Sequence, residues 1–530
     1  MAAMQRQLTQ SRVSEEEEVK AAGLVLDFDE IAKRGGLTKE EGLIAKWYGI
    51  YGSRQPGSNM ARVVIPGGVF TAVQARRIAE TARNYAQGRV CVTTRQALQF
   101  HGLKVADLPR MLRDLALDGA STFHGCGDVT RTVTACPCAE TCPHRRLDVR
   151  PFARETARAL TAMRDLDNLP RKYKITFSGC EGACAQPWMN CAGVMAVKVN
   201  LGGATRAGFK VVIGGGMGWK AFVAQPLFTF VPPEQITAVC RAVGLLFRDH
   251  GDRFNRAKSR LKFVVDRLGV GPCRELVLDY LRQEQVTPDG LRWDELPEAD
   301  GPVPERPLTD SQLAGWPDGG GVVRVRIPKG ELDEGQLRRL AELSEMYGDQ
   351  RLYSTNRQNL ELHGVAPDKM GEARAEVERL GFPTDGVSGL RDMVCCVGTV
   401  YCPKAVASTR TLFDLLEPVV GAAKYRAIEE MAALHLTGCP NSCSPYRVAD
   451  IGFRGLRIRA EEGSVEGFEV LIGGDQQTHG QKLGEFRTAD CPEVVAAVLD
   501  VFMDVRRDNE TLHACVKRVG VEPFSEAVFA

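Results

Sequence analysis

The chain has 530 residues, 44% of them apolar and 25% charged, with a formal net charge of +1. That length exceeds what one hydrophobic core organises, so several domains are expected. The charge balance excludes bulk nucleic-acid or membrane-surface binding, and no apolar run is long enough to span a bilayer. Seventeen cysteines, with no secretory h-region in MAAMQRQLTQSRVSEEEEVK, point to a reducing, cytoplasmic compartment and to metal binding rather than disulfides.

Residues 1–45 read as a mobile or wrapping arm. A β-branched strand at 62–66 precedes a helix over 71–86, two extended segments within 90–101 joined through TRQ, and a helix over 106–117. This is a small α+β unit of β-α-β-β-α order within 46–122. A cysteine-bearing segment with a long helical and strand region follows, over 123–285. VTPDGLRWDELPEADGPVPERP (286–307), rich in proline and acidic residues, reads as a surface linker. The same order then returns: a strand at 323–327, a helix over 334–346, extended segments within 352–363 joined through NRQ, and a helix over 367–380. The corresponding units are 308–385 and 386–530.

The residues repeat as well. VVIPGG (63–68) matches VRIPKG (325–330), and VTTRQALQFHGL (92–103) matches YSTNRQNLELHGV (353–365). Arg95 pairs with Arg357, 262 residues on, and Arg131 with Arg391, 260 on. Cys136 and Cys142 pair with Cys396 and Cys402 at 260; Cys180 and Cys184 pair with Cys439 and Cys443 at 259. A period this long is a duplicated domain pair, expected to pack about a pseudo-two-fold axis.

Four thiolates in two short groups suit a cubane iron–sulfur cluster. Structural zinc favours shorter pairs. Cys439 and Cys443 lie in a Gly/Pro/Asn turn that can fold around an inorganic core. Cys91, Cys240, Cys273, Cys491 and Cys515 read as core thiols, as do Cys126, Cys138 and Cys395 despite their neighbours. His101 and His363, at equivalent positions, read as structural. Arg95, Arg131, Lys172 and Lys174 form a separate basic group; Lys172 and Lys174, two apart, share a face if extended. Cations aimed into one pocket would hold an oxyanion, and a lysine of lowered pKa could deliver protons.

KWYGIYGSRQPG (46–57), IPGG (65–68), TTRQALQFHG (93–102), GDVTR (127–131), LPRKYK (169–174), NRAKSRLKFVVDRLG (255–269) and TGCPNSCSPYRVADIGFRG (437–455) together resemble the ferredoxin-dependent nitrite/sulfite reductase hemoproteins. The resemblance implies an α+β fold, internally duplicated, with two ferredoxin-like half-domains and two siroheme/iron–sulfur domains. It implies a [4Fe–4S] cluster on Cys396, Cys402, Cys439 and Cys443, with Cys443 bridging to siroheme iron. Arg95, Arg131, Lys172 and Lys174 would be the catalytic cations, and Arg171 and Lys258 further siroheme-binding candidates. The implied reaction is six-electron reduction of sulfite to sulfide, or of nitrite to ammonia, with electrons from ferredoxin. The lysine pair favours sulfite, a dianion; SCSPYRVADIGF (442–453) looks closer to the nitrite enzymes.

The chain departs from the family pattern in keeping all four first-half cysteines. Cys136, Cys142, Cys180 and Cys184 are therefore expected to bind a second cluster, opposite a site where Met431 and Ala433 stand for the lysines. A non-catalytic electron-transfer or assembly subunit, and a relative acting on a corrin-type precursor, are the alternatives.

Overall fold

A computed structural model describes residues 15–297, 299, 301, 303, 321–460 and 463–530. The two ferredoxin-like halves are interlocked by strand exchange. The first sheet runs Ile50–Gly52, Asn59–Val63, Leu98–Leu103, Arg89–Val92, and is completed by Glu331–Asp333 of the second half. The second runs Gly321–Val325, Leu360–Val365, Arg351–Ser354, and is completed by Val69–Thr71 of the first half. Leu332 lies opposite Val90 and Phe70 opposite Leu352, and all four are buried. A three-residue strand has little stability alone; here each one closes the other sheet's edge.

Exchange was not expected from the sequence, which reads 62–66 and 323–327 as strands. The strands end earlier, at Val63 and Val325. Pro66 and Pro328 start tight 3-10 turns, because proline has no N–H for the ladder. Each turn redirects the chain into the other sheet. Helices Ala72–Tyr85 and Glu334–Tyr347 follow from capping boxes at Thr71/Gln74 and Asp333/Gln336. They pack on each other, and Ile78, Ala82, Leu337 and Leu340 belong to one core shared by both halves.

Each cysteine-bearing domain has its own sheet: Thr134–Ala135, Ile175–Ser178, Ala192–Leu201, Ala204–Ile213 and Gln225–Val231 in one; Val394–Cys395, Leu434–Thr437, Ile451–Ala460, Gly463–Ile472 and Gln481–Arg487 in the other. The first three strands of each are parallel and the rest antiparallel. The cysteine loops leave the carboxyl ends of the first two strands. That is where backbone leaves the ladder and becomes available to a ligand.

Gln96 and Gln358, at φ +54° and +67°, tie these domains to the interlocked halves. Gln96 Nε2 donates to Ala135 O (2.7 Å) and to Ser354 O of the second half (2.8 Å), while its Oε1 accepts from Ala135 N (2.9 Å). Gln358 does the same with Val92 O and Cys395 N. The strand before each first cysteine is thereby hung from a hairpin turn.

The described part of the arm, from Glu15, wraps. Lys20 is buried and donates to Asp128 Oδ2 (3.3 Å) and Leu169 O (3.2 Å). Residues 1–14, and much of 286–307 beyond Pro297, lie outside the described residues. The rest of that segment is no free tether: Asn200 N donates to Pro297 O and Thr229 N to Arg292 O, extending a sheet. No helix among the described residues is long and apolar enough to cross a membrane.

Replacing Gln96 with alanine leaves Ala135 N–H and two carbonyls without partners in a buried place. Gln96→Ala is expected to destabilise the protein by about 3 kcal/mol, and a melting curve indistinguishable from the parent's would refute the role.

Candidate functional site

The hairpin turn between Arg89–Val92 and Leu98–Leu103 carries the first contact between the halves at the cysteines. Thr93 Oγ1 accepts from Arg95 N and Ala97 N (both 3.2 Å), which sets the turn. Thr94 Oγ1 then donates to Cys443 O (2.8 Å), and Arg54 N donates to Tyr401 O (2.9 Å) beside Cys402. The second-half cysteine loops therefore rest on the first half.

Those four thiols sense one another. Burial pushes Cys439 up to about 11, with the charges of Cys443, Cys396 and Cys402 adding. Burial, then Cys443, raises Cys396. Gly438 N donates to Cys396 Sγ (3.2 Å), a ready-made bond to a thiolate. Cys443 alone of the four is exposed.

Facing Cys443 is a wall of cations. Lys172 and Lys174 flank Tyr173, which is wholly buried and donates to Cys240 O (2.8 Å). Tyrosine in the core forces both lysines to the opposite side. Arg131 N donates to Tyr173 O (2.8 Å), so Arg131 lies on the next extended segment. Arg95 donates to Asn190 Oδ1 (2.7 Å), Thr132 O (2.7 Å) and Ile175 O (3.1 Å). Arg131 donates to Gly125 O.

Burial, then Arg260 and Arg171, lower Lys172 to about 7, against an opposing pull from Cys443. Burial, then Lys172, Arg95 and Arg260, hold Lys174 well below its ordinary range. Burial and neighbouring cations lower Arg95 to about 9; burial takes Arg131 to about 10, and both remain charged near neutrality.

No carboxylate is bonded to these four side chains among the described residues. Asp128, whose charge reaches Arg131, is held by Lys20, Arg171 and Arg256. Arg95 Nε and Arg131 Nε are buried without a hydrogen-bond partner. Buried, unpartnered N–H donors in a positive wall fit an anionic group, so the residues suit the carboxylate-rimmed siroheme and a small oxyanion.

Arg171 is half-buried and paired with Asp128 (2.9 Å), and its charge reaches Lys172. Lys258 is exposed. Two positions beyond it, Arg260 approaches Cys191 Sγ (3.3 Å), and Lys262 donates to Met217 O (2.9 Å) and Gly216 O (3.3 Å). Arg260, Lys262 and Arg62 belong to the cation group and were not singled out from the sequence. The signal was present in the sequence as the alternating basic residues of KSRLK (258–262). Lys262 is seated on the glycine-rich turn GGGMGW (214–219) through the carbonyls of Gly216 and Met217.

The duplicate of this wall is neutralised. Arg357, equivalent to Arg95, pairs with Asp392 at 2.7 Å, where the first half has Thr132. Arg391, equivalent to Arg131, pairs with Glu429 (2.8 Å) and Asp385 (2.9 Å). Arg324, equivalent to Arg62, lies 3.5 Å from Glu361, where the first half has Gln99. Met431 and Ala433 stand for the lysines. The first-half cysteines nonetheless keep their frame. Asn356 Nδ2 donates to Cys184 O (2.9 Å), as Thr94 does to Cys443 O. Cys136 N bonds Phe177 O, as Cys396 N bonds Leu436 O. Cys136 is raised by burial, then by Cys184, Cys142 and Cys180.

Comparison with known proteins gives the same duplicated layout. The family described as nitrite and sulphite reductase 4Fe-4S domain matches residues 126–285 and 386–530, and the nitrite/sulfite reductase ferredoxin-like half domain matches 51–117 and 317–380. A sulfite reductase [ferredoxin] of Mycolicibacterium paratuberculosis is 29% identical over 90% of this chain and 88% of its own. The chloroplastic ferredoxin–nitrite reductase of Arabidopsis thaliana is 31% identical over 81% and 73%. The solved NirA protein of Mycobacterium tuberculosis superposes with a TM-score of 0.84 at 27% identity, covering 97% of this chain and 98% of that one. With both domain types matched twice over, the chain belongs to the nitrite and sulphite reductases and is a ferredoxin-dependent sulfite or nitrite reductase, an α+β duplication whose family implies siroheme and a 4Fe-4S cluster.

Proposed function

We propose that the chain reduces sulfite to sulfide in the cytoplasm, taking electrons one at a time from ferredoxin. The observation that carries this reading is the cation wall opposite Cys443, bonded to neutral oxygens only. Lys172, Lys174, Arg95 and Arg131 supply more positive charge than a monoanion needs, and a dianion such as sulfite gains most from it. Cys396, Cys402, Cys439 and Cys443 would hold the cluster, and Cys443, the exposed thiol, would be shared with siroheme. When bound, these groups supply the electrons and the iron on which the oxyanion is reduced. The chain's own residues hold the oxyanion, exclude competing counter-ions and deliver protons. Lys172, poised near 7, is the side chain best placed to give up and regain one.

Balance requires six electrons and six protons to take hydrogen sulfite to hydrogen sulfide anion and three waters. Nitrite is the second reading, favoured by the SCSPYRVADIGF stretch. Steady-state kcat/KM with reduced ferredoxin discriminates: a value for sulfite at least tenfold above that for nitrite is expected, and the reverse order overturns the sulfite assignment.

The neutralised copy suggests its own test. Lys172→Met and Lys174→Ala reproduce Met431 and Ala433, and each is expected to lower kcat/KM by about 100-fold or more with the siroheme spectrum kept. Sulfite itself titrates near neutrality, so the pH readout is a difference between proteins. Protonated Lys172 is lost as pH rises through about 7. Lys172→Arg, which stays charged, should therefore lose less activity than the parent between pH 7 and 9.

The first-half set, Cys136, Cys142, Cys180 and Cys184, would hold a second cluster without siroheme, because the arginines facing it are already paired with carboxylates. About eight acid-labile sulfides per chain are expected, against about four for one cluster.

A further inference from the structure

Beside the first-half cysteines lies a group that neither the cluster nor the cation wall uses. Cys138, Glu361 and His363 are all buried, and their ligating atoms lie within 4.8 Å of one another. Cys138 Sγ is 3.4 Å from Glu361 Oε2, which is 2.9 Å from His363 Nε2. The His363 ring is fixed by stacking on Tyr353, centroids 3.7 Å apart at 6°. Cys138 comes from the first cysteine-bearing domain; Glu361 and His363 come from adjacent same-face positions on strand Leu360–Val365 of the second ferredoxin-like half.

The internal duplicate serves as a control. The positions equivalent to Cys138, Glu361 and His363 are Gly398, Gln99 and His101. There the imidazole stacks on Tyr401 (4.0 Å); Cys91 and Glu331 lie in the neighbourhood, but among the described residues no thiol and carboxylate converge with this imidazole to within the 4.8 Å seen at His363. Packing at this place in the fold therefore needs only the histidine. The thiol and the carboxylate are additions, made together and on one side. A fully buried carboxylate is costly unless it is paired or coordinates a metal. Arg324, at 3.5 Å, meets one oxygen of Glu361, while the other faces the thiol and the imidazole.

We propose that Cys138, Glu361 and His363 bind a single zinc ion that staples the first cysteine-bearing domain to the second ferredoxin-like half. One thiolate, one imidazole and one carboxylate are the borderline donors zinc accepts, with a water as fourth donor, and tetrahedral ligand atoms sit about 3.3–3.8 Å apart, close to the present spacing. Binding releases the Cys138 proton and requires the glutamate–histidine pair to open slightly. No electron is transferred, because zinc has no redox chemistry in proteins. The ion is a structural clamp, distinct from the four cysteines that are spaced for a cubane.

The test is metal content of the holoenzyme grown with zinc, by inductively coupled plasma mass spectrometry, with zinc K-edge absorption to read the ligands. One zinc per chain with one sulfur neighbour is expected. It should fall at least tenfold in Cys138→Ala and in Glu361→Gln, the latter reproducing the side chain the other half carries. Iron, acid-labile sulfide and sulfite turnover should be unchanged, which separates this site from the reductase reading. Less than 0.1 zinc per chain in the parent, zinc with four sulfur neighbours, or loss of labile sulfide in Cys138→Ala would each overturn the proposal. If Cys138→Ala does not fold, His363→Gln and the parent's absorption spectrum decide it.

Discussion

Buried positive charge with no bonded carboxylate is the constraint on which the rest of this structure depends. A guanidinium or ammonium group removed from water costs several kcal/mol unless an opposite charge meets it. Arg95 and Arg131 meet only neutral oxygens, and each keeps a buried Nε without a partner. Lys172 and Lys174 are driven down by burial and by their neighbours' charge. Such a wall calls for anionic groups to complete it. The fold has to hold it open against its own repulsion, and it does so with parts that carry no charge. Tyr173 is locked in the core between the lysines, Gln96 hangs the cysteine strand from the arginine turn, and the exchanged strands stop the halves from drifting apart.

Duplication supplied that frame twice, and at the cation wall charge separates the copies. Asp392, Glu429 with Asp385, and Glu361 each settle on an arginine whose counterpart in the first half faces neutral groups. Ion pairs of this kind are stable without a ligand, so the second wall has no electrostatic need of one. The cysteine loops of the first half did not follow: their backbone bonds and the Asn356 contact match those of the second-half loops.

Much of this was legible in the chain. The eight cysteines at constant offsets, the four cations, the absence of the lysines from the second half and the duplicated α+β order are all properties of residue type and spacing. Strand ends and the exchanged edge strands were not, because they depend on where proline turns send the chain in space. Arg260 and Lys262 were not singled out beside Lys258 for a related reason. Alternation tells which residues share a side, but not which side faces the cleft.

By itself the sequence determined the spacing of the candidate donor atoms, the repeat and the family, since covalent order suffices to count and space residues. Only the tertiary structure decided which copy is electrostatically open. An arginine reads the same in sequence whether it is paired or not. Arg95 and Arg357 lie in matching turns, and the 2.7 Å contact from Arg357 to Asp392, a residue distant in sequence, exists only once the chain has folded.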